Sequence, residues 1–200
     1  MPRSATETRH RIVQAAATLF SLHGYDGTTV NDVLEATGIT KGALYYYFRS
    51  KETLCRAVIE HAVREVRDLA VACDDPTNAL KAVRQCLAAL LEKGSSERSV
   101  YGRLLVRLSL EAMHLEPRLQ RSLRSFWQLH ETWLAERLER ARQAGRWPAD
   151  LDRQACARAL TRLGAGSILT AQVAAEPRDV PASTEWLIAT LSLPQPGTHD

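Results

Sequence analysis

A run of three tyrosines close to a lysine is the stretch whose residue types indicate the most distinctive chemistry. Residues 45–47 are all tyrosine, and Lys41 precedes Tyr45 by four positions. On a helix this spacing places Lys41 and Tyr45 on one face, with Leu44 and Phe48 on the other. A helix cannot bury three consecutive aromatic side chains on one face. Tyrosine hydroxyl and lysine ammonium groups commonly donate hydrogen bonds to phosphate oxygens. We therefore expect an exposed surface that binds a nucleic-acid backbone.

Small residues between these donors would let the same helix approach base edges. Gly42 and Ala43 follow Lys41, and a lysine can donate to the guanine acceptors of the major groove. Residues 28–54 read TTVNDVLEATGITKGALYYYFRSKETL, two short helical stretches around a turn at Gly38. This order is the helix-turn-helix pattern, in which the second helix lies in the major groove of DNA.

Helical spacing of apolar residues continues along nearly the whole chain, and no convincing alternating run predicts a strand. We therefore expect an all-α fold with about nine helices. The first should end near His23, Thr28 should cap the second and Ser50 should cap the fourth. Thr40 should cap a third helix from Lys41 to about Tyr47. The later helices are expected from Asp75-Pro76 to Gly94, about Arg98 to Leu115, Glu116-Pro117 to Gly145, Asp150 to before Pro177, and Ser183 to about Leu191.

Composition narrows the class of protein. The chain has 200 residues, 45% of them hydrophobic, and a net charge of +3. It contains no run of about 18 apolar residues, so we expect no membrane insertion and no export. The four cysteines lie far apart without metal-site spacing, which predicts reduced thiols in a cytoplasmic protein with no metal and no cofactor. So small a net charge means that DNA binding must come from a local surface.

The segment resembles the DNA-binding domain of the TetR/AcrR family of bacterial transcriptional regulators. The matching residues are the Thr28-Thr29 entry, the Gly38-Ile39-Thr40 turn, the Gly42-Ala43-Leu44-Tyr45 helix and the Phe48-Arg49-Ser50-Lys51-Glu52 junction. The resemblance implies a homodimer that represses by binding a palindromic DNA operator and that a small-molecule effector releases. It also implies a DNA-binding domain over residues 1–52 and an effector-binding and dimerisation domain over 53–193. From the sequence itself we expect residues 194–200 to form a flexible tail.

The resemblance assigns roles to individual residues of the DNA-binding domain. Thr29 and Lys51 would hold phosphates, the three tyrosines would contact the groove wall and backbone, and Lys41 would face bases. The complete expected set is Thr29, Asn31, Thr40, Lys41, Gly42, Ala43, Tyr45, Tyr46, Tyr47 and Lys51.

The eighth helix is rich in alanine and glycine, which lets another helix approach closely. In the resembled family, helices eight and nine of both subunits form a four-helix bundle. The expected interface residues are Leu160, Gly164, Ile168, Trp186 and Leu187. Packing within one subunit is the alternative.

The resemblance places the effector pocket between helices four and eight. An apolar cavity with a few polar groups would suit a drug-like or aromatic ligand, and paired arginines would suit an anion. The candidates are Cys86, Arg103, Arg107, Phe126, Trp127, His130 and Trp133. Each of them is alternatively an ordinary core or surface residue.

Three other functions compete with this interpretation. A redox- or electrophile-sensing regulator is disfavoured because Arg103 follows Gly102 where related sensors carry a cysteine. An enzyme is disfavoured because the sequence lacks the G-x-S-x-G, P-loop, H-E-x-x-H and G-x-G-x-x-G motifs. His61 is an available base, but with Glu65 four residues later it is expected to form a surface pair. A helical adaptor that binds only protein would leave the exposed tyrosines unexplained.

Overall fold

The computed structural model of the chain describes residues 5–75, 77–91, 97–171 and 189. Within these residues it contains eight α-helices, one short 3-10 helix and no strand, which confirms the all-α prediction. The helices are α1 Ala5–His23, α2 Val30–Thr37, α3 Lys41–Tyr47, α4 Lys51–Ala72, α5 Ala79–Leu91, α6 Glu97–Leu110, α7 Pro117–Gln143 and α8 Arg153–Ala171, with the 3-10 helix at Ala112–His114. The predicted ninth helix, apart from Ala189, and the tail over 194–200 lie outside the described residues.

Local signals set the ends of the first two helices. Gly24 takes a φ of +78° directly after α1, and Gly38 takes a φ of +66° at the end of α2. The predicted cap of α2 at Thr28 is wrong by one residue. Thr29 is the N-cap, and its hydroxyl oxygen accepts a hydrogen bond from the amide of Asp32. The Thr28 side chain is buried and donates instead to the Gly24 carbonyl over 2.8 Å.

Helix α3, the second helix of the predicted helix-turn-helix, is anchored to the first unit by two apolar side chains. Leu44 and Phe48 are 2% and 4% exposed, so the predicted inward face is confirmed. Thr40 caps the helix by accepting from the amide of Ala43. Ser50 caps α4 in the same way, accepting from the Thr53 amide over 3.1 Å. Both caps agree with the sequence prediction.

Three predicted helix boundaries need correction. The carboxylate of Asp75 accepts from the amides of Thr77 and Asn78 in a turn, so α5 begins later, after Asn78. A hydrogen bond from the Thr77 hydroxyl to the same carboxylate, together with these amide contacts, lowers the pKa of Asp75 to about 2. Helix α6 ends at Leu110 rather than about residue 115, because the chain tightens into the 3-10 helix before Pro117. Helix α8 starts three residues after Asp150, and Asp152 caps it through the amide of Gln154.

The chain forms two compact units, each continuous in space but not in sequence. The first comprises Met1–Val66 and Ser95–Ser125, and the second comprises Arg67–Gly94 and Phe126–Asp200. The helix-turn-helix segment and α6 therefore share one unit, in which α6 packs against α1. The functional boundary predicted after residue 52 stays a prediction.

A buried polar group joins three helices of the first unit. The expected surface position of His61 is wrong, because the residue is only 7% exposed. The ring nitrogen Nε2 lies 2.9 Å from the Tyr101 hydroxyl, and the His10 ring packs edge-on at 5.2 Å. Glu65 does lie within ion-pair distance, at 3.7 Å from Nδ1. These contacts connect α1, α4 and α6.

The core of the second unit lies among α5, α7 and α8. Leu134, Leu138, Trp147 and Leu160 are among its most completely buried side chains. None of the helices in the described ranges is long and apolar enough to cross a lipid bilayer.

Candidate nucleic-acid interface

The three tyrosines of α3 lie at the surface of the first unit to different degrees. Tyr46 is 81% exposed and Tyr45 is 42% exposed, as predicted. Tyr47 is half-buried, and its ring packs edge-on against that of Tyr46 at 5.1 Å. Two hydroxyl-bearing rings therefore project from the helix, and the third helps to hold its neighbour.

The first turn of α3 is open and carries small side chains. Lys41 and Gly42 are exposed, and a Cβ atom added to Gly42 would meet no atom within 4 Å. Ala43 is half-buried. The hydroxyl oxygen of Thr40 is engaged in the cap of the helix. Among the residues that the structure describes, none fills the space in front of Gly42, so another molecule has room to approach the backbone there.

The start of α2 presents a hydroxyl and an amide at the surface. Thr29 and Asn31 are exposed. The Thr29 amide donates to the Asp32 carboxylate over 2.7 Å, which lowers the pKa of that carboxyl group. The hydroxyl oxygen of Thr29 serves as the acceptor of the cap, so its proton is available for an outside acceptor such as a phosphate oxygen.

Lys51, the first residue of α4, lies on an aromatic ring. Its ammonium nitrogen is 4.2 Å from the centre of the Tyr25 ring, a cation–π distance. Burial raises the pKa of Tyr25 to about 12, so the ring is neutral at physiological pH. The half-buried Lys51 side chain is thus supported by a specific partner.

A basic groove beside α3 contains residues that sequence reasoning missed. It has a volume of about 250 Å³, and Arg9, Arg49 and Arg56 contribute three positive charges against the single negative charge of Glu60. The Arg9 guanidinium lies 5.1 Å from the centre of the Phe48 ring. The three arginines come from α1, the α3–α4 junction and α4. No local pattern links them, although Arg9 and Arg49 both belong to residues 1–51, where basic residues outnumber acidic ones by two.

The residues predicted to bind an effector divide between the two units. In the first unit, Arg107 donates to Glu111 over 3.2 Å, and desolvation lowers the pKa of half-buried Arg103. In the second unit, Cys86 is fully buried, and burial raises its pKa to about 12. The Trp133 ring lies 4.5 Å from the guanidinium of Arg137.

The other three predicted effector residues form an aromatic cluster on α7. The ring of Phe126 is 4.8 Å from that of Trp127 and stacks on His130 at 6.0 Å. Desolvation lowers the pKa of half-buried His130 to about 4, so its imidazole is neutral at pH 7. A groove of about 470 Å³ elsewhere in the second unit is lined by charged residues of α7 and α8, and none of the seven predicted residues contributes to it.

The predicted dimer residues on α8 are mostly turned inward in the subunit. Leu160 is fully buried and Ile168 is 9% exposed. Gly164 faces α5, where Leu87 lies 3.8 Å from the position of an added Cβ. Trp186 and Leu187 lie outside the described residues. The exposed face of α8 includes Ala155, Ala159, Arg162, Gly166 and Leu169.

Comparison with known proteins adds evidence that is independent of this geometry. The family model described as bacterial regulatory proteins, tetR family, matches residues 12–58. The regulator LmrA of Bacillus subtilis is 36% identical over 81 residues, which are 38% of this chain and 43% of that protein. The biofilm operon negative regulator IcaR of Staphylococcus epidermidis is 33% identical over 79 residues, 40% of this chain and 43% of its own length. The chain thus matches less than half the length of these curated relatives.

Solved structures resemble the chain over nearly its whole length. A TetR-family regulator from Agrobacterium tumefaciens has a TM-score of 0.87 at 19% identity, covering 95% of this chain and all of the other. The TetR regulator TylP of Streptomyces fradiae has a TM-score of 0.70 at 27% identity, covering 96% of this chain and 90% of its own. Residues 12–58 thus match the tetR family of bacterial regulatory proteins, and the chain shares its fold with solved TetR-family regulators.

Proposed function

We propose that the protein is a repressor that binds a palindromic DNA operator as a homodimer and releases it when a small-molecule effector binds. The observation that carries this proposal is the solvent-exposed face of α3, where Tyr46 projects at 81% exposure beside Lys41 and Gly42. Leu44 and Phe48 anchor the opposite face. A rigid helix with donors on one side and no competing partner in front of Gly42 is suited to a nucleic-acid groove.

The dimensions of α3 support contact with bases in the major groove. Its seven residues span about 10 Å along the helix axis, and the major groove of B-DNA is about 12 Å wide. Lys41 in the first turn would donate to base acceptors. Gly42 and Ala43 would let the backbone come close to the base edges. Tyr45 and Tyr46 would contact phosphates along the groove wall.

Phosphate contacts would come from both sides of this helix. The Thr29 hydroxyl and the Lys51 ammonium lie at the starts of α2 and α4, where helix dipoles also favour an anion. We add Arg9 and Arg49 of the basic groove to this set, because both are exposed next to the end of α3.

The small positive charge of one copy supports dimerisation. Residues 1–51 contain Arg3, Arg9, Arg11, Lys41, Arg49 and Lys51 against Glu7, Asp26, Asp32 and Glu35, a surplus of two. Two copies on a palindrome double the number of phosphate contacts, which raises affinity steeply. The outward face of α8, with small residues such as Ala159 and Gly166, supports a helix-on-helix contact with a second copy. The similarity to IcaR, a negative transcriptional regulator, supports repression.

The aromatic cluster of α7 supports an apolar or aromatic effector. Phe126, Trp127 and His130 offer ring faces, and the imidazole is uncharged at neutral pH. The effector would bind more tightly to the state that cannot hold DNA than to the state that can. Only such a difference in affinity shifts the equilibrium between the two states. It would tilt α4, which carries Lys51, and change the separation of the two recognition helices.

Two of the four thiols are poorly suited to sensing electrophiles, which supports a ligand-responsive regulator. Cys55 and Cys86 are fully buried, and burial raises the pKa of each thiol to about 12. A reactive cysteine needs an accessible thiolate, which these two sites do not provide at neutral pH.

The test is to select genomic fragments with the full chain and to measure binding to them by fluorescence anisotropy at several salt concentrations. We expect steep salt dependence and two chains per fragment. Tyr46→Ala should weaken binding, whereas Met113→Ala, which truncates another side chain of the first unit at 91% exposure, should not. Salt-independent binding, or equal effects of both variants, would overturn the proposal.

A further inference from the structure

The carboxylate of Glu111 joins the end of α6 to the turn between α1 and α2. Its oxygen Oε2 accepts hydrogen bonds from the amides of Tyr25 and Asp26, at 2.7 and 3.4 Å. The other oxygen, Oε1, accepts from Arg107 Nε at 3.2 Å. The side chain of Glu111 is 19% exposed, so these contacts are partly shielded from water. Charge-assisted hydrogen bonds of this kind are stronger than neutral ones.

The turn is shaped to receive this carboxylate. Gly24 is buried with a φ of +78°, a conformation that other residues rarely adopt. A Cβ atom on Gly24 would lie 1.8 Å from Glu111 Oε1. Any larger residue would therefore push the carboxylate out of its position. The glycine is needed for the backbone and for the close approach of Glu111.

The same turn supports a residue of the proposed DNA surface. The Tyr25 ring, which packs on Phe20 at 5.8 Å, lies beneath the Lys51 ammonium. The turn then leads to Thr28, whose hydroxyl donates back to the Gly24 carbonyl, and to the Thr29 cap of α2. Displacement of the Tyr25 backbone would therefore move the ring on which Lys51 rests.

We infer that Glu111 is a positioning residue for DNA binding, which fixes Tyr25 beneath Lys51 and so places the Lys51 ammonium against a DNA phosphate. The inference rests on the proposed operator binding and adds to it a residue outside the helix-turn-helix segment. Glu111 acts through Tyr25 and does not itself touch DNA. Its negative charge would repel phosphates, and Arg107 and the two amides offset that charge.

A double-mutant cycle tests this inference on the full-length protein. DNA affinity and its salt dependence are measured for the wild type, Glu111→Ala, Lys51→Ala and the double variant. The slope of log affinity against log salt is negative. Loss of one phosphate contact in each of two subunits should make it less negative by about 1.8. We expect Glu111→Ala to reproduce most of this change. The double variant should bind no more weakly than Lys51→Ala, because both changes remove the same contact.

Two further variants separate positioning from charge and from folding. Glu116→Ala removes the same charge from an exposed residue close enough to raise the pKa of Tyr25, and it should leave the salt slope unchanged. Glu111→Gln keeps an acceptor oxygen, so its salt slope should lie between those of the wild type and Glu111→Ala. If Glu111→Ala does not fold, Glu111→Gln takes its place in the test. Hydrogen exchange of the Tyr25 and Asp26 amides should accelerate in Glu111→Ala and not in Glu116→Ala.

The possible failures are distinguishable. A wild-type protein without salt-dependent DNA binding overturns the proposed function and this inference with it. A wild-type protein that binds, combined with an unchanged salt slope in both Glu111 variants, overturns only the inference. A lower melting temperature together with additive losses in the double variant would mean that Glu111 is merely structural, which also overturns the inference.

Discussion

Substitution of Gly42 should affect the stability of the protein and its binding of DNA in opposite directions. In the free chain a Cβ atom at this position meets nothing within 4 Å, so an added side chain causes no internal strain. Glycine in a helix costs about 0.5–1 kcal/mol relative to alanine. Gly42→Ala should therefore stabilise the protein by up to this amount. For a chain of this length that raises the melting temperature by about 2–4 °C at most.

The expected cost appears only when DNA is bound. If the backbone at Gly42 lies against base edges, Gly42→Leu inserts four carbon atoms into that contact. Specific binding should then fall toward the non-specific level, a loss of about a thousandfold or more. Gly42→Ala should give a smaller loss in the same direction.

Thermal unfolding and fluorescence anisotropy with a selected operator measure the two effects separately. Ala72→Leu is the control, because Ala72 is likewise a small exposed residue at a helix terminus, but it lies at the last position of α4 in the second unit. It should leave DNA affinity unchanged. Undiminished operator binding by Gly42→Leu would refute the placement of this helix against bases. A fall in stability would refute the claim that the site is open.

Three further predictions follow from the charges and the titrating groups. Arg49→Ala should make the salt slope of DNA binding less negative by about 1.8 per dimer, whereas Arg84→Ala on α5 should leave the slope unchanged. The same slope in both variants would mean that the basic groove does not contact DNA. Iodoacetamide at pH 8 should modify half-buried Cys156 well before Cys86, because burial shields the Cys86 thiol and raises its pKa to about 12. Mass spectrometry of the native protein would measure this order, and rapid labelling of Cys86 would contradict its burial. The pKa of His130 is lowered from 6.5 to about 4, so the neutral imidazole stabilises the fold above pH 6.5 and this contribution is lost as pH falls toward 4. Urea unfolding at several pH values should show a loss in the free energy of unfolding of at most about 3 kcal/mol. His130→Gln should make this free energy less dependent on pH. An identical pH profile in the variant would mean that His130 does not cause the loss.

Local signals made the DNA-binding segment predictable. The signals for this segment lie within about twenty residues, and the structure has all of them. They are the turn at Gly38, the cap at Thr40 and the alternation of buried Leu44 and Phe48 with the tyrosines. The cap of α2 was predicted one residue early. Two adjacent threonines offer the same chemistry, and only the tertiary bond from Thr28 to the Gly24 carbonyl distinguishes them.

Contacts between distant segments were not predictable. Glu111 is 86 residues from Tyr25 along the chain, and no spacing rule connects a carboxylate after α6 to amides after α1. The inward direction of Leu160 likewise depends on how α8 packs within the second unit. An apolar stripe on a helix shows that a face is covered without showing which element covers it.

The most direct test of the central claim is the stoichiometry and spacing of the complex on DNA. Mass photometry combined with footprinting on a selected fragment should show two chains, with protected half-sites centred one helical turn apart or a multiple of it, about 34 Å per turn. Raising the salt from about 50 to 200 mM should weaken this complex by several orders of magnitude. A single bound chain, protection without two-fold symmetry, or a complex indifferent to salt would contradict the account.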